Sequence, residues 1–383
     1  MKTLKLIWGA LFDLVIRFLP FTDKQYKFAF LVHPRDMRDV HRKYPFLRHF
    51  PNKVVDKILS FYWPITVSKV TGLKSLIDGK EVSGFVIAIP LTAKAMMENR
   101  SLALKRTRQA LKLASKKGAK IIGLGGLTSS ISKGGLDLIN TKNSDIGITT
   151  GHAYTAYNVT QNLKKLVSSL SLEVKNLQVA IVGAAGSIGS TSAKILAKDG
   201  FRKILLIDLE RKKGGFVNLV DELKKSNSEI EITTSHQIKD VFESDFIITA
   251  TNAPEAVIRA SDLKSGAVVV DDAQPSDVSP ETLQRADVLV IEAGVVSTPG
   301  VHSNFNFNLK NRDDNFCCLA EVLILAANNW RGHYVINRAN LELVDKIAKM
   351  SFGLGFTLGE FQNFNEKISL TKLNLIKNIV SSR

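Results

Sequence analysis

Three glycines and one pair of cysteines are the residues of this 383-residue sequence whose types and spacing most clearly suit chemistry. Gly183, Gly186 and Gly189 directly follow an apolar, β-branched run, which predicts a strand, a tight turn and the start of a helix. The first glycine permits the turn, the second lets backbone N–H groups approach a pyrophosphate, and the third lets the helix pack on the strand. The helix N-terminus, with Ser187 and Ile188, then faces the anion. The pattern predicts a dinucleotide site, and the alternative is a Rossmann-like unit that binds another ligand or none.

A second predicted strand ends at Asp208, 19 residues after Gly189. An acidic residue at this place typically binds the ribose hydroxyls of the dinucleotide, and its charge repels a 2'-phosphate. Arg211, Lys212 and Lys213 follow closely and offer positive charge for such a phosphate. The sequence therefore leaves the choice between NADH and NADPH open at this point.

The two cysteines, Cys317 and Cys318, are adjacent. They lie in the first turns of a predicted helix that begins at Asp313 or Asp314, both good N-cap residues. The helix dipole favours a thiolate there, and the two aspartates oppose it. Consecutive helical residues point about 100° apart, so at most one thiol faces a given side. Burial of both in the core is the alternative, because cysteine is among the most buried residue types.

Hydroxyl and aromatic side chains cluster in two short, glycine-containing loops. In such loops they act as substrate ligands or proton donors, and the alternative is that the hydroxyls only cap helices. No histidine or cysteine spacing indicates a metal site. The residues concerned are Thr128, Ser129, Ser130, Thr149, Thr150, His152, Tyr154 and Tyr157.

The elements that must position these residues alternate between strand and helix. This rhythm predicts an α/β protein with a doubly wound parallel Rossmann sheet, a second α/β substrate domain and C-terminal helices. Ligands of such sheets lie beyond the carboxyl ends of the strands, which places Thr251, Asn252 and Gly294 near the cofactor. The predicted division is a membrane-associating segment at 1–25, a substrate domain at 26–165, a Rossmann domain at 166–300 and a helical segment at 301–383.

Residues 4–21 are strongly apolar, but Asp13 and Arg17 interrupt them, so a membrane-spanning helix is not expected. Lys5, Gly9, Asp13 and Arg17 recur every four residues, so a helix here has one narrow polar stripe and a wide apolar face. That shape is typical of a helix lying on a membrane surface. The alternative is a helix docked on its own protein or on a partner.

The net charge of the sequence limits the classes of partner that it is expected to bind. Lys and Arg number 52 against 36 acids, a formal charge of +16, which suits nucleic acid, an anionic membrane or an acidic carrier protein. No nucleic-acid motif is present, so nucleic acid is the least favoured. A basic stripe within the predicted long helix 92–117 suits an acidic carrier, unless it is only a solvated face; it comprises Lys105, Arg108, Lys112 and Lys116. Two adjacent cysteines offer no disulfide framework, which favours the cytoplasm.

The sequence resembles the long-chain acyl-[acyl-carrier-protein] reductases, best known from cyanobacteria, as a divergent member. The shared motifs occur in the family's order over about residues 28–356. They are FAFLVH (28–33), LGGLTSSI (124–131), TTGHAYTAY (149–157), VGAAGSIGS (182–190), AGVV (293–296) and FCCLAE (316–321).

The resemblance implies reduction of a fatty acyl thioester, carried by acyl carrier protein or coenzyme A, to a fatty aldehyde with NADPH. It also implies an acyl-cysteine intermediate on Cys318, where the family has its nucleophile, whereas the family commonly has alanine at Cys317. The family commonly has Asn and His where this chain has His152 and Tyr154. We take His152 as a candidate proton carrier and Thr128, Ser129 and Tyr157 as candidate substrate ligands.

Two other functions stay open on the sequence alone. A shikimate- or amino-acid-type dehydrogenase has a similar two-domain plan and needs no nucleophilic cysteine. A non-catalytic dinucleotide-binding module needs neither Cys318 nor the hydroxyl loops.

Overall fold

The computed structural model describes residues 2–19, 27–139, 146–212, 214–305, 307–364 and 366–382, without the side chains of residues 2–7, 10 and 17. Within these ranges the chain forms two compact units. Unit 1 comprises residues 1–151, 298–337 and 349–356, and unit 2 comprises 152–297, 338–348 and 357–383. This division differs from the predicted one, because residues 298–337, including both cysteines, return to the N-terminal unit instead of forming a separate C-terminal segment.

The strands and helices of both units are named in chain order. The strands are β1 (Lys27–Val32), β2 (Ile65–Thr71), β3 (Gly84–Ala88), β4 (Ala119–Leu124), β5 (Gly147–Thr149), β6 (Gln178–Val182), β7 (Lys203–Ile207), β8 (Glu231–Ser235), β9 (Phe246–Thr249), β10 (Val268–Asp271), β11 (Leu289–Glu292), β12 (Val295–Ser297), β13 (His302–Ser303), β14 (Asp314–Phe316) and β15 (Thr357–Leu358). The helices are α1 (Lys2–Phe18), α2 (Met37–Lys43), α3 (Asn52–Phe61), α4 (Ala93–Glu98), α5 (Arg100–Lys116), α6 (Leu127–Ile131), α7 (Leu136–Ile139), α8 (His152–Ser169), α9 (Ser187–Lys198), α10 (Gly214–Ser226), α11 (Pro280–Leu283), α12 (Cys317–Ala327), α13 (Leu341–Ser351) and α14 (Leu370–Ser381).

Unit 2 contains a six-stranded sheet in the order β11-β10-β9-β6-β7-β8, with every pair parallel. Counted from β6, this is the strand order of the dinucleotide-binding Rossmann fold, and it reverses direction between β6 and β9. Except for the edge strand β8, which is largely exposed, the strands are mostly buried on both faces, so they read as continuous apolar runs such as VVVD and FIIT. Both the predicted α/β class and the doubly wound parallel sheet are confirmed.

Unit 1 contains a mixed sheet in the order β13-β2-β3-β1-β4-β5. Strands β3, β1, β4 and β5 pair in parallel, and β2 and β13 extend the sheet beyond β3 with antiparallel pairing. Ala29 and Leu31 of β1 belong to the core that includes α4 and α5. The opposite face, with Phe30, receives α12: a Cβ built on Gly123 of β4 would overlap both Phe30 and Val322. Helix α12 therefore fills the second face of the sheet.

Two predicted helix boundaries are wrong. The long helix predicted at 92–117 is broken at Asn99, whose side chain accepts the Leu102 N–H and so starts α5 afresh. Helix α12 begins at Cys317, not at Asp313 or Asp314. Asp314 instead lies buried in β14, where it accepts a hydrogen bond from Asn311 Nδ2 at 2.9 Å.

Helix α1 packs on its own unit through Asp13 of the polar stripe. Asp13 is 1% exposed, pairs with Lys117 Nζ at 2.7 Å and accepts the Thr66 N–H at 2.6 Å. Lys116 donates to the carbonyl oxygens of Ile16 and Leu19, at the C-terminal end of the helix. The stripe thus faces inward at Asp13, while the side chains of Lys5 and Arg17, and residues 20–26, lie outside the described part. No helix in the described ranges is both long and apolar enough to cross a membrane.

Candidate active site

The glycine turn of unit 2 has the backbone geometry that its sequence predicts. Gly183 has a φ of +85°, and a Cβ there would lie 2.5 Å from the Ala250 carbonyl oxygen. A Cβ on Gly189 would lie 2.5 Å from the Gly183 carbonyl oxygen. Any side chain at either position would open the turn, which holds the start of α9 against the ends of β6 and β9. Ser187 and Ile188 begin α9 after the N-cap residue Gly186, so their N–H groups belong to the unpaired first turn of a helix.

Asp208 lies just after β7 and supports this turn. Its Oδ2 accepts the Ala185 N–H at 3.0 Å, its Oδ1 accepts the Leu209 N–H at 2.8 Å, and Lys212 pairs with it at 3.1 Å. Arg211 is exposed, and Lys213 lies outside the described residues. The carboxylate is thus fixed beside the turn, with neighbouring basic side chains that partly offset its charge.

The other predicted cofactor residues follow the carboxyl ends of β9 and β11. Thr251 donates its hydroxyl to Asp277 at 2.6 Å and its N–H to the same carboxylate at 3.1 Å, so its side chain anchors the loop. Asn252 is exposed. A Cβ on Gly294 would lie 2.9 Å from Asp272 Oδ1. Gly183 and the loop after β9 meet directly, and Gly294 lies beside the end of β10.

Two carboxyl groups that end β10 have shifted protonation. Burial, with the charge of Asp277, raises the pKa of Asp271 to about 7. Burial and the charges of Asp271, Asp277 and Glu292 raise the pKa of Asp272 well above its ordinary value. Both shifts favour the neutral, protonated form of these carboxyl groups.

In unit 1 the two cysteines have different environments. Cys317 is 1% exposed, whereas Cys318 is partly exposed. They are the first two residues of α12, where backbone N–H groups point toward an incoming anion. A Cβ on Gly151 would lie 2.5 Å from Cys318 Cα, and Gly151 has a φ of +81°. The TTG loop therefore lies directly on the Cys318 residue.

The Glu321 side chain holds the TTG loop (residues 149–151) in place through hydrogen bonds. It is fully buried, and its Oε1 accepts hydrogen bonds from the Thr149 hydroxyl and, at 3.1 Å, from the Gly151 N–H. Residues three apart share one helix face, so Glu321 projects from α12 on the side of Cys318. The Thr149 hydroxyl also accepts the Val335 N–H at 3.2 Å. The adjacent Thr150 hydroxyl is buried and has no hydrogen-bond partner among the described residues.

The second hydroxyl loop is fixed by a histidine. His33 Nε2 accepts the Leu127 N–H at 3.0 Å, and its Nδ1 lies 2.9 Å from the Pro34 carbonyl oxygen, so the proton is on Nδ1. Burial lowers the pKa of His33. The Thr128 hydroxyl donates to the Gly125 carbonyl oxygen at 2.7 Å, and Ser129 is buried. The N-cap residue of α6 is Gly126, which has no side chain to cap the helix.

His152 and Tyr157 belong to α8 of unit 2. Burial lowers the pKa of the His152 imidazole to about 4, so the ring is neutral at pH 7. Burial raises the pKa of Tyr157, whose ring stacks on Tyr154 with 5.9 Å between centroids. A neutral imidazole accepts a proton and does not supply one as an imidazolium. The described residues contain no cluster of three or more potential metal ligands.

The family model for shikimate / quinate 5-dehydrogenase matches residues 164–294. These residues lie wholly within unit 2 and span the Rossmann sheet. Two curated proteins are similar over most of this chain. The long-chain acyl-[acyl-carrier-protein] reductase of Synechococcus elongatus is 26% identical over 325 residues, which cover 80% of this chain and 87% of that protein. The aminotransferase PigE of a Serratia species is 26% identical over 306 residues, 78% of this chain, and the matched part spans only 35% of PigE.

The solved structures compared with this chain have low sequence identity to it and low TM-scores. The iminosuccinate reductase of Paracoccus denitrificans, solved with NAD+, is 16% identical with a TM-score of 0.28 and covers 36% of this chain and 42% of that one. The Entamoeba histolytica malic enzyme is 11% identical with a TM-score of 0.36 and covers 78% and 72%. The family match and the curated relatives, taken with the glycine turn, support an NAD(P)-dependent reductase or dehydrogenase, and they do not distinguish NADPH from NADH.

Sequence reasoning missed Glu321 and Asp272 as site residues. The signal for Glu321 is a single carboxylate inside the otherwise apolar helix CCLAEVLILAA, where burial demands hydrogen-bond partners. The signal for Asp272 is a pair of aspartates that ends a wholly buried strand. Both signals identify a residue under constraint, but neither names its partner.

Proposed function

We propose that this chain reduces a long-chain fatty acyl thioester to a fatty aldehyde, with hydride from NADPH or NADH, through an acyl-cysteine on Cys318. The observation that carries the proposal is the contrast between the two cysteines. Cys318 is partly exposed at the start of α12 and lies against Gly151, while Cys317 is buried. A packing role accounts for Cys317 but not for the arrangement around Cys318.

The residues of unit 2 fit a dinucleotide. A Cβ at Gly183 or Gly189 would collide with neighbouring backbone, as expected where the first and third glycines of a dinucleotide-binding motif make the tight turn and pack the helix on the strand. The first turn of α9 would hold the phosphates, Asp208 the ribose hydroxyls and Arg211 a 2'-phosphate where one is present. Bound there, the nicotinamide supplies hydride.

Cys318 carries the covalent chemistry. Its thiolate forms a bond to the thioester carbonyl carbon, and the C–S bond to the carrier breaks, so the carrier thiol leaves. Backbone N–H groups of the first turn of α12 stabilise the oxyanion. After hydride addition to the acyl carbonyl, Cys318 carries the anion of a thiohemiacetal, whose oxygen re-forms the carbonyl as the C–S bond breaks to give the aldehyde and the Cys318 thiolate. The sum is acyl thioester, reduced dinucleotide and one proton converted to aldehyde, carrier thiol and oxidised dinucleotide.

Other residues of the chain position the substrate and move the proton. In this proposal the neutral His152 relays the proton that the departing carrier thiol takes up. Thr128, Ser129 and Tyr157 bind the substrate. The thioester carrier is acyl carrier protein or coenzyme A, and Lys105 and Lys112, which are exposed on α5, offer the basic surface that an acidic carrier protein needs. Arg108 and Lys116, the other members of that stripe, are bonded to the carbonyls of Asp137 and of α1.

The test is a search for the covalent intermediate. The protein is incubated with palmitoyl-coenzyme A without reductant, and the peptide that holds both cysteines is analysed by tandem mass spectrometry. We expect a palmitoyl adduct on Cys318 that disappears, with release of hexadecanal, when NADPH is added. An adduct on Cys317 alone, or aldehyde formation with no adduct on either cysteine, would overturn the proposed mechanism.

A shikimate-type dehydrogenase is the second candidate, and the family match to residues 164–294 favours it. That match covers only the nucleotide-binding unit and says nothing of α12 or the TTG loop. Such an enzyme transfers hydride directly to its substrate, so it needs no thiol. Oxidation of shikimate or quinate by the Cys318→Ala variant at the wild-type rate would establish this candidate.

A further inference from the structure

Two segments of unit 1 present large apolar side chains to solvent. On α1, Trp8 is 66% exposed and Phe18 is 79% exposed, and Leu11, Phe12 and Val15 share the same side of the helix. In residues 45–61, Phe61 is 75% exposed and Ile58 is 56% exposed, together with Phe46, Phe50 and Val54. We call these two sets of side chains the apolar face. A monomeric protein rarely leaves so many aromatic residues uncovered.

The two segments are neighbours on unit 1. Helix α5 contacts both: Arg106 donates to the Ser60 carbonyl near the end of α3, while Lys116 and Lys117 bond to α1. Tyr62, which follows α3, and Asp13 of α1 both lie near Tyr44; burial, with these two groups, raises the pKa of Tyr44 to about 12. The inward-facing Asp13 fixes α1 so that its apolar side points away from the protein.

Basic residues outnumber acidic ones in the two segments that carry the apolar face. Residues 2–19 and 45–61 contain six Lys or Arg and two acids, and both acids are engaged. Asp13 pairs with Lys117, and Asp56 accepts the Thr92 hydroxyl at 3.2 Å. On α3, Val54, Ile58 and Phe61 form one exposed stripe, and the exposed Lys53 and Lys57 lie next to it. Apolar and aromatic side chains beside lysines match the interface of an anionic bilayer.

We propose that the apolar face binds the surface of an anionic lipid bilayer, with α1 and α3 lying in its interfacial layer. A second copy of the chain is a poorer occupant, because a self-contact would bring the basic side chains of both copies together. An acidic carrier protein satisfies the charges but not the exposed aromatic rings. The inference goes beyond the proposed reaction, since it holds whatever chemistry Cys318 performs.

The test is flotation of the full-length protein with vesicles of phosphatidylglycerol and phosphatidylcholine, compared with phosphatidylcholine alone. We expect the wild type to float with the anionic vesicles and to be released in part by high salt. Trp8→Ser combined with Phe12→Ser and Phe18→Ser, and separately Ile58→Ser with Phe61→Ser, should each lower the partition coefficient at least about tenfold. Lys53→Glu with Lys57→Glu should weaken binding to anionic vesicles only.

The matched control is Ile77→Ser with Phe352→Ser, which removes two equally exposed apolar side chains elsewhere on unit 1 and should float like the wild type. Melting temperatures of all variants verify the fold. Wild-type protein that stays at the bottom of the gradient, or variants that all float equally, would overturn the proposal. So would a wild-type dimer that the α1 variant converts to monomers without any vesicle binding, because the face is then a contact between copies.

Discussion

The backbone N–H of Gly151 donates a hydrogen bond to Glu321 Oε1 at 3.1 Å, and Gly151 at the same time touches Cys318. The buried carboxylate of Glu321 therefore fixes the position of the TTG loop (residues 149–151) next to the proposed nucleophile. The role is positional, because Glu321 acts on the loop and not on the thioester. It accounts for an ionisable side chain in a helix whose other residues beyond the first turn are apolar and buried.

This role predicts different effects for two substitutions of Glu321. Glu321→Gln keeps an oxygen acceptor for Thr149 and Gly151, and we expect aldehyde formation within about fivefold of the wild type. Glu321→Leu leaves both donors unpaired in the core, which costs about 2–3 kcal/mol of unfolding free energy. It should also change the alkylation rate of Cys318 by iodoacetamide. Equal loss in both variants would assign the charge, not the acceptor oxygen, as the essential property.

The close approach of Gly151 to Cys318 predicts that Gly151→Ala is severe. The new methyl group would collide with Cys318, and the φ of +81° adds about 1 kcal/mol of backbone strain. Gly332→Ala is the matched control, because its φ is +80° and nothing lies within 4 Å of the new Cβ. We expect Gly151→Ala to reduce kcat at least about a hundredfold and Gly332→Ala to lose stability only. Thermal melts and aldehyde assays on both proteins compare the two effects.

Substitution of the two cysteines should separate their roles. Cys318→Ala removes the covalent step and should reduce aldehyde formation at least about a thousandfold, or about 4 kcal/mol of transition-state free energy. Cys317→Ala should lose only packing, at most a few kcal/mol of stability, with near-normal kcat in the folded protein. NADPH binding, followed by nicotinamide fluorescence, controls for folding in both. A fully active Cys318→Ala enzyme argues for direct hydride transfer and hence for a dehydrogenase.

Substitutions of Asp208 and Arg211 should shift the preference between NADPH and NADH in opposite directions. Asp208→Asn keeps an oxygen for the Ala185 N–H and removes the charge that repels a 2'-phosphate, so the ratio of kcat/KM for NADPH over NADH should rise about tenfold. Arg211→Ala removes an exposed cation and should lower that ratio. Steady-state kinetics with both cofactors measure it. An unchanged ratio in Asp208→Asn would mean that the carboxylate supports the turn and does not contact the ribose.

The pKa of His152 predicts an acid limit of stability. Burial lowers it to about 4, below its ordinary value of 6.5, so protons bind more tightly to the unfolded chain between these pH values. The contribution to stability is fully present above pH 6.5 and is lost as the pH falls toward 4. His152→Gln should make the urea concentration at the unfolding midpoint depend less on pH over this range. His49→Gln, which changes an exposed ring, should keep the wild-type dependence on pH. Urea unfolding from pH 4 to pH 8 tests the difference.

How far the sequence predicts this fold depends on the range of the interactions. The strands of unit 2 and its glycine turn follow from local apolar runs and from three glycines whose roles are backbone requirements. The start of α12 does not follow from local sequence. Asp313 and Asp314 are both good N-cap residues, but Asp314 accepts a hydrogen bond from Asn311 and its segment forms β14. The inward turn of Asp13 depends on Lys117, 104 residues further along the chain. The link between Thr149 and Glu321 spans 172 residues, so no local pattern predicts it.

The chain leaves unit 1 at residue 151 and returns to it at residue 298, which has a consequence for biosynthesis. When residue 151 leaves the ribosome, the face of the sheet with Phe30 and Gly123 is still bare, because the helix that covers it begins at Cys317. At ordinary elongation rates of about 5–20 residues per second, the nascent unit waits roughly 10–35 s for that helix. The proposed nucleophile thus arrives on the segment that closes the core, and a chain truncated before it has neither a thiol nor a finished unit.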